Sequence, residues 1–184
     1  MARLKGKARA KANKKKHNQS KYETAVYRKK MVSKILKYND PFLEIVCDSA
    51  AEKEDVSRIV TDLKKVLAAT ENGVGLAAPQ IGYNKRIIVI RPSGQGGSIS
   101  ALINPVVEKQ SEEKHVQKEG CLSYPDFYTF VERSKNVTVS YVDGDKNKTD
   151  DFKDFEARVV LHEIDHLKGI CLVGDAWKVK ESNG

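Results

Sequence analysis

The sequence predicts an α+β fold built from two helices and several short, mostly antiparallel strands. Three observations support this class. An apolar stripe with helical spacing runs through residues 50–70, a second helical stretch covers residues 155–168, and short apolar runs separated by turn residues lie between them. At 184 residues, with 40% hydrophobic and 32% charged side chains, the chain is long enough for one domain with a buried core.

The first predicted helix spans Ala50 to Thr70 and follows an extended lead-in over residues 35–46. Asp48 or Ser49 can cap its first turn, and Asn72-Gly73 can end it. Its apolar side chains recur at i, i+3, i+4, i+7, i+10 and i+11, and these are Val56, Ile59, Val60, Leu63, Val66 and Leu67.

Six segments between the helices have the composition of strands. They are Arg86–Arg91, Ser98–Ile103, Pro105–Lys109, His115–Glu119, Tyr128–Glu132 and Asn136–Val142. The first is apolar from Ile87 to Ile90, so we expect it to be buried on both faces. Residues 92–97 should form a turn or loop, and Asp143-Gly144-Asp145 a hairpin turn.

The second helix is predicted from Phe155 to Lys168. Asp154 can cap its start, and Gly169 can end it. Phe155, Val159 and Val160 give this helix an apolar side, which should pack against the strands.

Charge divides the chain into two parts. Residues 1–30 carry 9 Lys and 3 Arg against the single acid Glu23, whereas the remaining residues carry a net charge of −3. Residues 1–30 hold few large apolar side chains, so we expect a basic tail that is disordered when alone. Residues 31–184 would form a single domain. The tail is either a solubilising segment or an arm that binds polyanions.

Membrane and secreted classes are disfavoured by the sequence. The longest apolar runs are four residues, and no apolar signal-peptide core follows the basic N-terminus. Three cysteines are too few for a disulfide framework, which favours reduced thiols in a cytosol-like compartment.

The strongest chemical pattern is His-Glu-x-x-His on the second helix. His162 and His166 are four residues apart, so both imidazoles leave one helical face and can bind one metal ion. Glu163, beside the first histidine, can move protons for a water molecule that the metal activates.

The third ligand is less clear from spacing. One class of zinc protease has a third histidine where this chain has Leu172, and a thermolysin-like glutamate would come from a further long helix. Cys47 and Cys171 are expected to be small buried side chains rather than ligands. Cys121 follows Gly120 in Glu-Gly-Cys-Leu-Ser and would complete a His₂Cys site, although spacing alone leaves the choice open.

A glycine- and alanine-rich segment joins the first helix to the buried strand. Residues 73–80 cannot be a phosphate loop, because the helix precedes the segment and the strand follows it. Their small side chains suggest close packing beside a substrate or a second strand, and Gln80 adds an amide donor.

Three motifs together resemble peptide deformylases: Gly-φ-Gly-φ-Ala-Ala-x-Gln at 73–80, Glu-Gly-Cys-Leu-Ser at 119–123 and His-Glu-x-Asp-His-Leu-x-Gly at 162–169. The resemblance covers residues 34–175. It implies an α+β fold in which a central metal-binding helix packs against the strands, with residues 31–184 as one catalytic domain. It also implies hydrolysis of the formyl group from N-formylmethionine at the start of newly made proteins, with release of formate.

The resemblance assigns roles by position. Cys121, His162 and His166 would bind the metal, and Glu163 would be the general base and then the acid. Gln80 and the backbone N–H of Leu122 would face the oxyanion. The backbone around Val74, Gly75 and Gly120 would pair with the substrate peptide.

The resemblance further implies one divalent ion, natively Fe(II), although Zn(II), Ni(II) or Co(II) suit the same donors. The partners would be N-formylmethionyl nascent peptides, with no membrane and with a monomeric enzyme in the bacterial cytoplasm, including that of a phage-infected host. An organellar location fits less well. The chain ends 18 residues after His166, as in short bacteriophage forms that lack a long C-terminal helix, and Tyr128 stands where relatives often have Arg.

The basic tail is not a usual feature of this family. Because nascent chains emerge beside ribosomal RNA, residues 1–30 could contact the ribosome. Two rival hypotheses remain: a metallopeptidase that uses the same His-Glu-x-x-His, and a nucleic-acid-binding protein with a degenerate site. Intact Glu163 and Gln80 argue against degeneracy, since neither is needed merely to hold a metal.

Overall fold

The computed structural model describes residues 20–51, 53–91 and 97–171. Three helices are present in this part of the chain: α1 at 20–32, α2 at Lys53–Ala69 and α3 at Asp154–His166. Two short 3₁₀ turns lie at Pro41–Glu44 and Ala78–Ile81. The seven strands are β1 (Gly75–Ala77), β2 (Ile87–Ile90), β3 (Ser100–Gln110), β4 (Lys114–Cys121), β5 (Tyr124–Ser134), β6 (Asn136–Asp143) and β7 (Lys146–Lys153).

The described strands form two antiparallel sheets. The larger sheet has the order β1-β2-β3-β6-β7, and the smaller one is the β4–β5 hairpin. The hairpin is therefore an insertion between β3 and β6, which pair with each other. The predicted α+β class, with helices packed on mostly antiparallel strands, is confirmed.

The core lies on both faces of strand β2. Ile87 and Val89 belong to an apolar cluster with the buried stripe of α2, whereas Ile88 and Ile90 belong to a second cluster with α3. Successive strand residues point to opposite faces, so one short strand anchors both helices. The expectation that this segment is buried on both faces is confirmed.

Several predicted boundaries and caps were wrong. The predicted strands 98–103 and 105–109 belong to one strand, Ser100–Gln110, in which the register shifts at Asn104. Asn104 has φ 51, and its side chain bonds both backbone groups of Ala50. Asp154 does not cap α3, since Lys153 occupies the cap position and no side chain bonds there. Asp48 and Ser49 lie too far before Lys53 to cap α2.

The N-terminal tail was predicted to be disordered over residues 1–30, but residues 20–30 are helical and belong to α1. The helix is anchored at its end, where Met31, together with Ile35 beyond it, is buried in the α2 cluster. Residues 1–19, residues 92–96 of the predicted loop at 92–97, and residues 172–184 lie outside the described residues, so the predictions for them stand as predictions. Among the helices described, none is long and apolar enough to cross a membrane.

Candidate active site

Three side chains predicted as metal ligands come together where β4 ends beside α3. The ligand atoms of Cys121, His162 and His166 all lie within 4.8 Å of one another. Cys121 Sγ is 3.2 Å from His166 Nε2, and the centroids of the two imidazole rings are 5.1 Å apart. The thiol comes from β4 and both imidazoles from one face of α3, so only the folded chain assembles this group.

The donor set suits a divalent transition metal. One sulfur and two imidazole nitrogens are typical ligands of zinc and of related ions, and three protein ligands leave a coordination position open. His166 is buried, and its Nδ1 has no hydrogen-bond partner among the described residues. His162 Nδ1 contacts Glu119 Oε2 at 3.0 Å, which directs Nε2 towards the cysteine, as in carboxylate–histidine–metal arrangements. These residues could therefore hold one metal ion.

The carboxylate of Glu119 is the centre of a buried ionic network. Arg133 donates Nε and Nη2 to its two oxygens at 2.7 and 3.0 Å, and Arg158 donates Nη1 to Oε1. Arg133 also bonds Asp165 on α3 at 2.7 Å. Burial opposes ionisation of Glu119, but the hydrogen bonds from His162 and Arg133 lower its pKa to about 2. The network holds the hairpin against α3 and fixes the orientation of His162.

Glu163 lies in the wall of the site and is buried. Burial raises the pKa of its carboxyl to about 7, which suits a group that moves protons near neutral pH. Its Oε2 has no hydrogen-bond partner within the described ranges, so one oxygen remains available for a substrate or a water molecule.

Gly75 makes room for that carboxylate. A Cβ built at Gly75 would lie 2.3 Å from Glu163 Oε1, far inside contact distance. The absence of a side chain at Gly75 is thus needed for the position of Glu163.

The amide of Gln80 is oriented by its neighbours. Its Oε1 accepts a hydrogen bond from the backbone N–H of Ala77 at 2.8 Å. Its Nε2 therefore points to the other side, where it donates to Ser123 Oγ at 3.1 Å and lies 3.4 Å from Cys121 Sγ. A donor held in this way beside the metal site can stabilise an oxyanion.

The site opens into a cavity of about 490 Å³. Cys121, His162 and Glu163 are in its wall. So are all the residues predicted to contact substrate or oxyanion, which are Val74, Gly75, Gln80, Gly120 and Leu122. His166 is not part of the wall and lies beneath it, fully buried. The structure thus brings together every candidate site residue that the sequence indicated.

Sequence reasoning missed three groups in this site. Glu119 is part of the motif that contains Cys121, but no role was inferred for it. Its partners Arg133 and Arg158 are 14 and 39 residues away, and no spacing rule connects them. An acidic residue so near a ligand was the available signal, because metal-binding histidines commonly donate their second nitrogen to a carboxylate.

Comparison with known proteins gives one family. The family described as polypeptide deformylase matches residues 32–182. A peptide deformylase of Pseudothermotoga lettingae is 40% identical over 145 residues, covering 78% of this chain and 82% of the relative.

Solved structures agree with the sequence match. The crystal structure of a probable peptide deformylase from Synechococcus phage S-SSM7 is 37% identical, with a TM-score of 0.70, and the match covers 76% of this chain and 96% of the phage chain. A class I type b peptide deformylase of Acinetobacter baumannii, crystallised with Met-Ala-Ser bound, is 30% identical with a TM-score of 0.70 over 76% of this chain and 94% of its own.

Proposed function

Because the chain belongs to the polypeptide deformylase family, we propose that its site removes the formyl group from N-formylmethionyl peptides, with Cys121, His162 and His166 as the metal ligands. The protein is a metal-dependent hydrolase that acts on newly made polypeptides and releases formate. The observation that carries the residue assignment is the convergence of the three ligand atoms within 4.8 Å, at a cavity whose wall contains Glu163.

The chain's own residues supply the proton transfers and the charge stabilisation. Cys121, His162 and His166 would hold a divalent cation, which would lower the pKa of water and polarise the formyl oxygen. Glu163 accepts the proton of the attacking water and returns it to the amine that leaves. Gln80 Nε2 and the N–H of Leu122 donate to the developing oxyanion, and one such donor is commonly worth about 3 kcal/mol.

The peptide would pair with strand edges beside the cavity. The carbonyl of Val74 accepts a hydrogen bond from Arg91 N at 2.7 Å, so this residue faces β2. Strand backbone groups alternate, which turns those of Gly75 to the other edge, towards the cavity. We therefore assign pairing with the substrate to Gly75 on one side and to the β4 edge near Gly120 on the other.

Fe(II) is our proposal for the native metal, because a cysteine thiolate with two imidazoles suits it and the family resemblance favours it. Zn(II), Co(II) and Ni(II) suit the same donors. We also propose a monomer that works in the bacterial cytoplasm, including that of a phage-infected host. Bacterial relatives and three cysteines without disulfides support this location.

The central test is hydrolysis of formyl-Met-Ala-Ser by protein purified without oxygen. We expect equal amounts of formate and Met-Ala-Ser, because only the formyl C–N bond is cleaved. Release of formate and of free amine would be measured together. The unformylated peptide should remain intact; its cleavage would favour the metallopeptidase hypothesis, and no reaction with either peptide would contradict an enzymatic site.

We further propose that residues 1–30 bring the enzyme to ribosomal RNA. The 19 residues that precede α1 contain eight basic side chains and no acid. The charge continues onto the folded body, where a groove between α1 and α2 is lined by Arg28, Lys64 and Lys65. In the described part of the chain, none of these three side chains forms an ion pair.

Removal of residues 1–19, which leaves α1 in place, should greatly reduce cosedimentation with ribosomes at low salt. Turnover of formyl-Met-Ala-Ser should stay nearly unchanged, because the cavity wall begins at Val32. If about six basic residues contact phosphates of single strands, the log–log salt slope should be near −4. A full-length control with the eight basic residues changed to serine should behave like the truncated chain. Ribosome binding equal to that of the intact protein would rule out this tether.

A further inference from the structure

The outer face of the β4–β5 hairpin carries large side chains in solvent. Gly120 pairs with Tyr128, Lys118 with Phe130 and Val116 with Glu132, and directly paired residues share a face. On that face Val116 is 61% exposed, Tyr128 58% and Phe130 73%. We call Val116, Lys118, Tyr128 and Phe130 the outer stripe. The opposite face carries Glu119 and Arg133, which are buried against α3.

The outer stripe is continuous with the catalytic cavity. Gly120, Lys118 and Tyr128 line the cavity wall, and the Tyr128 ring lies 2.8 Å from the Cβ that a larger residue at Gly120 would have. Lys118 Nζ lies 4.5 Å from the centroid of the Tyr128 ring. Phe130 and Val116 extend the same face beyond the cavity. Exposed apolar side chains that cluster in this way mark a binding surface.

We propose that the outer stripe binds the part of the substrate that follows its third residue and that it favours apolar or aromatic side chains there. This inference rests on the proposed deformylation. Within the described residues β4 pairs only with β5, so its second edge can receive an extended peptide.

Strand geometry gives the length of peptide required. A strand rises about 3.4 Å per residue, so Lys118 lies about 10 Å and Val116 about 17 Å along β4 from Cys121. A formyl tripeptide held at Cys121 spans about 10 Å and ends level with Lys118. Phe130 is opposite Lys118 on β5, about 10 Å from a peptide on the second edge of β4, so the short serine side chain at position three does not reach it. Large side chains at the fourth and fifth residues of longer peptides can reach the outer stripe. Varying the substrate length and the side chains at positions four and five therefore distinguishes binding at the outer stripe from effects at the catalytic centre.

The test compares three substrates with the intact chain: formyl-Met-Ala-Ser, formyl-Met-Ala-Ser-Phe-Leu and formyl-Met-Ala-Ser-Ser-Gly. We expect kcat/KM for the Phe-Leu peptide to exceed that for the Ser-Gly peptide by about threefold to tenfold, mainly through a lower KM. This factor is the one expected for the binding energy of one aromatic contact. Phe130→Ser should remove this difference and leave the tripeptide unchanged. Val106→Ser is the matched control, since Val106 is 51% exposed on β3, outside the hairpin.

Equal kcat/KM for the two pentapeptides, or an unchanged ratio in Phe130→Ser, would overturn the inference. Light scattering gives a further outcome. If the intact protein is a dimer and Phe130→Ser is a monomer, the outer stripe is an interface between two copies and not a substrate surface. Failure of the intact protein to process even the tripeptide would instead contradict the proposed function itself.

Discussion

Replacement of Glu163 by glutamine is expected to lower kcat for deformylation by a factor on the order of 10³ to 10⁴ without loss of the metal, because a buried amide cannot exchange protons. Glutamine keeps the size of the side chain, so the close packing against Gly75 is preserved. Turnover of formyl-Met-Ala-Ser and metal content by elemental analysis would be measured on the same sample. Activity should fall and metal content should stay at one ion per chain.

Glu163→Ala provides the second measurement for this role. It removes the carboxylate and most of the side chain, and we expect the same loss of activity with the metal still bound. Metal and activity that disappear in parallel in both variants would show that Glu163 is a ligand, which would contradict its assignment as the proton carrier.

Replacement of Cys121 by alanine should have the largest effect on the metal itself. Removing a residue that merely orients a ligand often costs 10-fold to 100-fold in metal affinity, so loss of a direct ligand should cost more than about 100-fold. We expect little metal after dialysis and no measurable turnover. With Co(II) added in excess, the charge-transfer absorption from thiolate to metal should be absent.

The other two cysteines are the matched controls. Burial raises the pKa of the Cys47 thiol to about 11, which opposes a thiolate ligand, and Cys171 Sγ lies 3.5 Å from the carbonyl oxygen of Leu43. Cys47→Ala and Cys171→Ala should therefore retain both the metal and the charge-transfer band. If the band persists in Cys121→Ala, the proposed ligand set is wrong.

Helices α2 and α3 and the pair of histidine ligands were predictable because each has a local signal. The stripe of α2 follows from spacing, and so does the common face of His162 and His166. Strand β2 was predictable because four consecutive apolar residues demand burial on both faces. Such signals depend on neighbours in the chain and do not need the fold.

The remaining features depend on contacts between distant residues. Strand β7 has a single buried side chain, Phe152, so its polar sequence gives no strand pattern, and it forms because β6 offers a free edge. Helix α1 was hidden by its basic composition, although Met31 and Ile35 are four residues apart and both are buried. The network of Glu119 likewise joins residues up to 43 positions apart.

The close approach of Gly75 to Glu163 limits how this protein can change through mutation. A compound that fills the cavity would contact Gly75 in its wall. Any larger side chain at this position would displace the carboxylate of Glu163. A mutation there that excluded the compound would also disable the enzyme. Resistance should therefore arise from changes at the cavity rim, where Tyr128 and Phe155 are exposed, or from changes in expression, and rarely from the glycine itself.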